Sequence, residues 1–491
     1  MLFINSLQQQ TNTTTTDNGA KAYKSTLNHN LDLFGAIGAS RNNLENIQRI
    51  FSLAMDEDPG LALRILFYGR DIRGGQGERQ VFRHLFHYLG TEHPEIAKRL
   101  VLLVPEYGRW DDLYALHKTP SWETALNLMM MQFTSDVRCL SLGEEHPVSL
   151  LGKWLPSINA SSPKTRQLGK EICRFFGLSE RTYRKNLTAL RKRIRIVEQM
   201  MCSKQWDKIE YDKVPSRASF MYRNAFAAND GERYKEYLAS VASGEKKINA
   251  STLYPHDIAA IYLKHSWNNE MHDTLDLLWK NLPNYIPEDG FNGLVVADVS
   301  GSMHGTPKAM SIGLAIYIAE RNSSPEWQGK FLTFSHNPSL QQVTGQTIAA
   351  KMCNLSRADW GMNTDLLATF RAVLDAGRAA NLSNEDMPKM LLVISDMQFD
   401  QATQGSTNLE AIKQMYEEHS YTMPRLIFWN VNGNSNVPMQ VSDNGVFLAS
   451  GQSPSLVPAI LSNKLIGPMD LVRQAVMIPR YDLVTNALNP G

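Results

Sequence analysis

Over the first 283 residues, hydrophobic positions recur at helical spacing. Leu44, Ile47, Ile50, Phe51 and Leu53 have helical spacing. So do Leu61, Leu63, Ile65 and Leu66, and then Val81, Leu85, Phe86 and Leu89. Pro94 opens another helix, and Trp110 to Leu116 suggest a further one. No long strand-like run precedes residue 290, so residues 31–283 are expected to form an α-helical array of antiparallel pairs. No strict period repeats along it.

The pattern changes at residue 291. Leu294 to Ala297 and Leu391 to Ile394 are apolar without alternation, which suits strands buried on both faces of a parallel sheet. Strands are expected at 293–298, 330–334, 389–395, 425–430 and 445–449, with a short edge strand at 340–343. Helices near 307–321, 347–355, 364–379 and 408–419 alternate with them. That alternation predicts a Rossmann-like unit over 291–465. The fold class is therefore α + α/β. Residues 1–30, with the polar tract from Gln8 to Asp17, are expected as a flexible arm. Residues 284–290 are expected as a linker, and 466–491 as a tail packing on the helical domain.

The chemistry-bearing residues stand where the first buried strand ends. Asp298, Ser300 and Ser302 offer three hard oxygens within five residues, and Gly301 permits a tight turn between the serines. Such oxygens suit Mg²⁺ or Mn²⁺. The same residue types also cap helices after strands. Two later stretches extend the pattern: Gly361-Met-Asn-Thr-Asp365 before a helix, and Lys389-Met-Leu-Leu-Val-Ile-Ser-Asp396, a buried strand ending in an acid.

In that order, D-x-S-x-S, G-x-N-T-D and a strand ending in S-D resemble the von Willebrand factor A domain and its metal-ion-dependent adhesion site (MIDAS). The resemblance implies a metal shell of Asp298, Ser300, Ser302, Thr364 and Asp396. Its open position would take a carboxylate from an acidic protein ligand. The words Ile72-Arg-Gly-Gly-Gln-Gly-Glu-Arg79, Gly108-Arg-Trp-Asp-Asp112 and Ser395-Asp-Met-Gln-Phe-Asp400 are similar to an uncharacterised A-domain family of phages, giant viruses, plants and fungi. A HEAT-like helical array followed by an A domain also resembles the Ro ribonucleoprotein autoantigen and its TROVE module. That layout implies RNA binding.

Net charge is +1, but it is unevenly spread. Residues 151–224 carry 17 Lys/Arg against 6 Asp/Glu. Leu178 to Val197 reads as one amphipathic helix with Leu187, Leu190, Ile194 and Val197 on its apolar face. Arg181, Arg184, Lys185, Arg191, Lys192, Arg193 and Arg195 crowd the other faces. Trp206, Tyr211, Phe220 and Tyr222 follow. Cations that neutralise phosphates, beside aromatics that stack bases, make RNA the expected partner. The alternative is a protein-interaction adaptor whose metal recruits a partner carboxylate, such as that of a MoxR-type AAA+ ATPase.

Catalytic signatures are missing from the sequence: it has no HExxH, GxSxG or nucleotide loop. The reading is accordingly a non-enzyme. Arg70-Asp-Ile-Arg-Gly-Gly-Gln-Gly-Glu-Arg79 lacks the Gly-Lys-Ser/Thr of a phosphate loop and is expected to make an inter-helix turn. Cys139, Cys173, Cys202 and Cys353 are scattered without ligand spacing. With no apolar run near ~18 residues and no leader pattern, the expected location is the cytoplasm.

Overall fold

The computed structural model describes residues 11–143, 145–264, 272–288, 290–334, 337–355, 364–401, 407–433, 436–461 and 465–488. An N-terminal helical array is followed by a mixed sheet flanked by helices.

The array begins with four helices, His29–Ile37, Leu44–Glu57, Pro59–Arg70 and Arg79–Glu92. Their starts follow from local chemistry. Asn28, Asn43 and Asp58 each accept a backbone N–H three residues on, and Pro59 sits where its missing N–H costs nothing. The apolar faces read from spacing are buried. Ile47, Phe51, Leu63, Ile65, Leu85, Phe86 and Leu89 have no exposed surface. Phe67 sits among Phe82, Phe86 and Tyr107, with ring centroids 5.3–6.4 Å away. Edge-to-face contacts at this range add to simple burial.

The sheet lies within residues 294–450. Its strands are β3 Leu294–Ala297, β4 Lys330–Thr333, β5 Leu340–Gln342, β6 Met390–Ser395, β7 Arg425–Asn430 and β8 Val446–Ser450. The order is β5-β4-β3-β6-β7-β8, parallel throughout except for the edge strand β5. Strands β3, β6 and β8 are buried along their whole length, as unbroken apolar runs require. Strand order reverses between β3 and β6, so a crevice opens at their carboxyl ends.

Residues 11–28 depart from the flexible arm expected of 1–30. β1 Thr13–Thr15 and β2 Lys21–Tyr23 form an antiparallel hairpin. The hairpin is docked on the α/β unit: Tyr23 and Val437 exchange backbone hydrogen bonds of 2.9 and 2.8 Å. Residues 1–10 lie outside the described residues.

Further contacts join the array to the sheet. Helix His29–Ile37 lies on β8, where Ser450 Oγ donates to Phe34 O at 2.7 Å and accepts from Gly38 N at 3.1 Å. The chain then returns to the array. Helices Pro468–Val476 and Asp482–Thr485 pack on Pro59–Arg70, and Arg64 donates to Val476 O and to the Asp482 carboxylate. Among the described residues, no helix is long and apolar enough to cross a membrane.

Candidate functional site at the carboxyl end of the sheet

Strands β3 and β6 end side by side and deliver Asp298 and Asp396 to the crevice. Both are buried, with Asp298 fully so. Asp298 Oδ1 accepts from Ser300 N at 2.8 Å, and Oδ2 accepts from Ser395 Oγ at 2.6 Å. Ser300 Oγ and Ser302 Oγ are 3.2 Å apart, and Ser302 also bonds the Asp396 side chain. Thr364 stands beyond β6. Its Oγ1 donates to Gln398 O at 2.7 Å, and its N–H donates to Asp400 Oδ2 at 2.8 Å. Of the five residues expected as a metal shell, four are thus joined around Asp298 and Asp396. Thr364 is tied instead to the 398–400 segment.

Burial sets the electrostatics. Desolvation pushes the Asp298 carboxyl up to about 6, against the bonds from Ser395 and Ser300, with Asp396 adding to the rise. Desolvation raises Asp396 as well, and Asp17 contributes to that rise. A strongly cationic site would pull both values down. These two acids instead sit in an environment that favours their neutral forms.

The metal centre is not formed. Among the described residues, no group of three or more His, Cys, Asp or Glu side chains is placed to hold a metal ion. The donors are already engaged: both Asp298 oxygens, the two serines and the Thr364 hydroxyl bond one another or the local backbone. The expected Mg²⁺ or Mn²⁺ is therefore withdrawn, and with it the acidic protein ligand, including a MoxR-type ATPase. Gly361, Met362 and Asn363 of the G-x-N-T-D word lie outside the described residues.

The sequence reading missed what borders the crevice. The turn of the N-terminal hairpin docks on Thr364 and the 398–399 segment. Asn18 Nδ2 donates to Gln398 O at 2.8 Å and to Thr364 Oγ1 at 3.3 Å. Asp17 N donates to Gln398 Oε1 at 2.6 Å, and Thr16 Oγ1 donates to Phe399 O at 2.7 Å. Met397 adopts φ 67°, which turns the chain after β6 towards these donors.

Residues 16–116 and 122–290 match the family model described as a domain of unknown function, DUF2828. The chain belongs to this family. In this DUF2828 protein, residues 292–476 also match a second domain of unknown function, DUF7788. An uncharacterised protein of Acanthamoeba polyphaga mimivirus is 29% identical, over 93% of this chain and 86% of its own. The Deinococcus radiodurans Ro (RSR) protein structure aligns over 87% of this chain and 93% of its own, at 13% identity and a TM-score of 0.45. That likeness is too weak to carry a function to the DUF2828 chain. The von Willebrand factor A resemblance stands at the coarser level of a Rossmann-like sheet.

The basic segment of the DUF2828 chain is also corrected. The helix spans Glu180–Arg193 and does not run on to Val197; the chain turns at Arg195, where φ is 53°. Arg191 spends its guanidinium on Gly152 O, Leu155 O and Ser157 Oγ, at 2.7–3.0 Å. Arg193 donates to Gly143 O and His146 O, and Arg195 pairs with Glu210. Arg181, Arg184, Lys185 and Lys192 remain an exposed face, which is what a charge run usually is. Tyr211 is not a stacking platform: it is buried against Phe226, Tyr234 and Tyr237 and donates to Asp230. Three of the seven cations are thus committed within the fold, and Trp206, Phe220 and Tyr222 are partly buried against the core, so the combined phosphate and base surface expected of the segment is not formed. The RNA partner is withdrawn.

The acids beside Arg109 are taken by other arginines. Asp111 pairs with Arg83, and Asp112 with both Arg70 and Arg83. Arg109 lies instead over the Trp154 ring, 4.8 Å from its centroid.

Proposed function

We propose that the protein is a non-catalytic binding scaffold in which the α/β unit clasps the helical array and leaves the array as the binding element. The observation that carries this is the docking of Asn18 on the bonded pair Thr364 and Gln398, to both of which its Nδ2 donates. Open α/β sheets take ligands at this crevice, and here the chain's own arm borders it on the Thr364 side. An enzyme of this architecture needs the crevice for substrate, with a base poised near a nucleophile. Asp298 is the group nearest that role. It is fully buried, and its oxygens are spent on Ser300 and Ser395.

Hydrogen exchange tests the reading, comparing the full chain with one lacking residues 1–24. Without the arm, amides of 396–400 should exchange faster, while those of the Leu44–Glu57 helix keep their protection. Unchanged protection at 396–400 would sink the clasp. Turnover of any phosphoester, acyl ester or peptide substrate by the full chain, lost in Asp298→Asn, would sink the non-catalytic reading.

A further inference from the structure

Within the array, a cleft of about 650 Å³ opens between the short helix Leu151–Trp154, the 194–200 turn, the 208–215 loop and the helix Ser216–Asn229. This volume suits a small-molecule ligand. The wall is mostly apolar: Ile194, Ile196, Val197, Met200 and Val214 line it. Leu150 and Met221, also on the wall, are 53% and 58% exposed. Large side chains left open beside a concave apolar wall mark binding surface more often than ordinary solvent-facing positions do.

Charge along the same wall is one-sided once internal pairs are set aside. Glu210 is taken by Arg195 and Lys213, Arg217 by Asp257, and Glu198 accepts from the Tyr222 hydroxyl. Arg109, Lys153 and Lys208 also line the cleft, and none of them pairs with a carboxylate among the described residues. Arg109 and Lys153 flank one ring, with their charged ends 4.8 and 5.6 Å from the Trp154 centroid. Burial and then the Arg70 guanidinium hold the Arg109 pKa below its ordinary value. A half-buried guanidinium whose nearest acids belong to other arginines is stabilised by any anion that reaches it.

We infer that this cleft binds a small amphiphile with an anionic head, the head held by Arg109 and Lys153 beside Trp154 and the apolar chain laid along Ile196, Met200 and Val214. A long-chain fatty acid and a lysophosphatidate share that chemistry. The inference rests on the array being the binding element, but not on the clasp at the sheet.

The test uses the full chain and a dansylated long-chain fatty acid as the fluorescent probe. Saturable binding is expected, displaced by unlabelled oleate or oleoyl lysophosphatidate but not by oleyl alcohol. The better competitor identifies the head as carboxylate or phosphate. Arg109→Gln should weaken binding about tenfold or more, the scale of one charged hydrogen bond. Met221→Asp sets an acid on the exposed rim and should weaken binding without disturbing the fold; Arg181→Gln, outside the cleft, should leave it unchanged. Failure of the probe to saturate, equal displacement by the alcohol, or unchanged affinity in both Arg109→Gln and Met221→Asp would overturn the inference. If the probe fails while exchange at 396–400 still depends on the arm, the cleft assignment falls and the clasp stands.

Discussion

Arg480 straddles Asp71. Its Nε bonds one carboxylate oxygen of Asp71, and an NH2 donates to the other at 2.7 Å. Asp71 is fully buried and also accepts from the Tyr481 hydroxyl and the Arg73 N–H. Burial raises its pKa, but these bonds outweigh burial and hold the carboxyl below its ordinary value. A carboxyl depressed in the fold adds stability above its unfolded pKa and loses it as pH falls through the folded value. Arg480→Ala leaves a buried charge without its fork and should cost about 3 kcal/mol or more at neutral pH by urea unfolding. Arg480→Lys should recover only part of that, because an ammonium cannot reproduce the two-pronged geometry.

Asp298 behaves in the opposite sense. Its carboxyl is raised to about 6, so the fold favours the protonated form. The stability it contributes is present below the ordinary carboxylate value near 4 and is lost as pH rises towards 6. The span corresponds to about 3 kcal/mol. Asp298→Asn keeps an acceptor for Ser300 N and removes the charge. Between pH 4 and 6, its unfolding free energy should fall less with pH than that of the parent. Identical slopes in a urea series across that range would contradict the burial argument.

Gly38 marks how closely the array meets the sheet. A Cβ added there would lie 2.4 Å from Gly451 Cα and 2.7 Å from Gly451 N, both backbone atoms that cannot swing aside. Gly38→Ala should destabilise by about 1–3 kcal/mol, the cost of overpacking. Gly231 opens the helix Gly231–Ala242, and a Cβ there meets nothing within 4 Å. Gly231→Ala should change stability by less than about 0.5 kcal/mol. Chemical denaturation of the two variants side by side reads the contrast.

The basic helix should split by position. Arg191→Gln removes donors that hold three oxygens of the 152–157 segment and should cost about 1–3 kcal/mol. Lys192→Gln, on the exposed face, should stay within about 0.5 kcal/mol of the parent. Similar losses for both, measured by thermal unfolding, would mean that the Arg191 contacts carry no weight.

These outcomes trace back to what each residue says about itself. The β3 and β6 strands were legible because a doubly buried parallel strand leaves an unbroken apolar run, and the expected 425–430 strand coincides with β7 Arg425–Asn430. Acid-ended strands were legible too, since side-chain order fixes where Asp298 and Asp396 emerge. Their bonding was not: whether an oxygen faces a neighbour or a ligand is decided by distant chain. The hairpin did carry a local signal. Asn18-Gly19 is a strong turn word, with Gly19 at φ 87°, and it is flanked by β-forming threonines and Tyr23. Composition alone hid it under a polar tract. The break at Arg195 has no glycine or proline to announce it; Arg195 pairs there with Glu210, 15 residues on.

Contacts between the chain's two ends also set a timetable for synthesis. Thr16 waits for Phe399, 383 residues later, and Asp71 waits for Arg480, 409 residues later. At ribosomal speeds each delay lasts roughly 20–80 s. Through that interval the nascent array presents an uncompensated carboxylate and an unseated hairpin, while the surface that receives them does not yet exist. Emergence of the segment that carries Arg480, rather than completion of the array, is the step that closes the molecule.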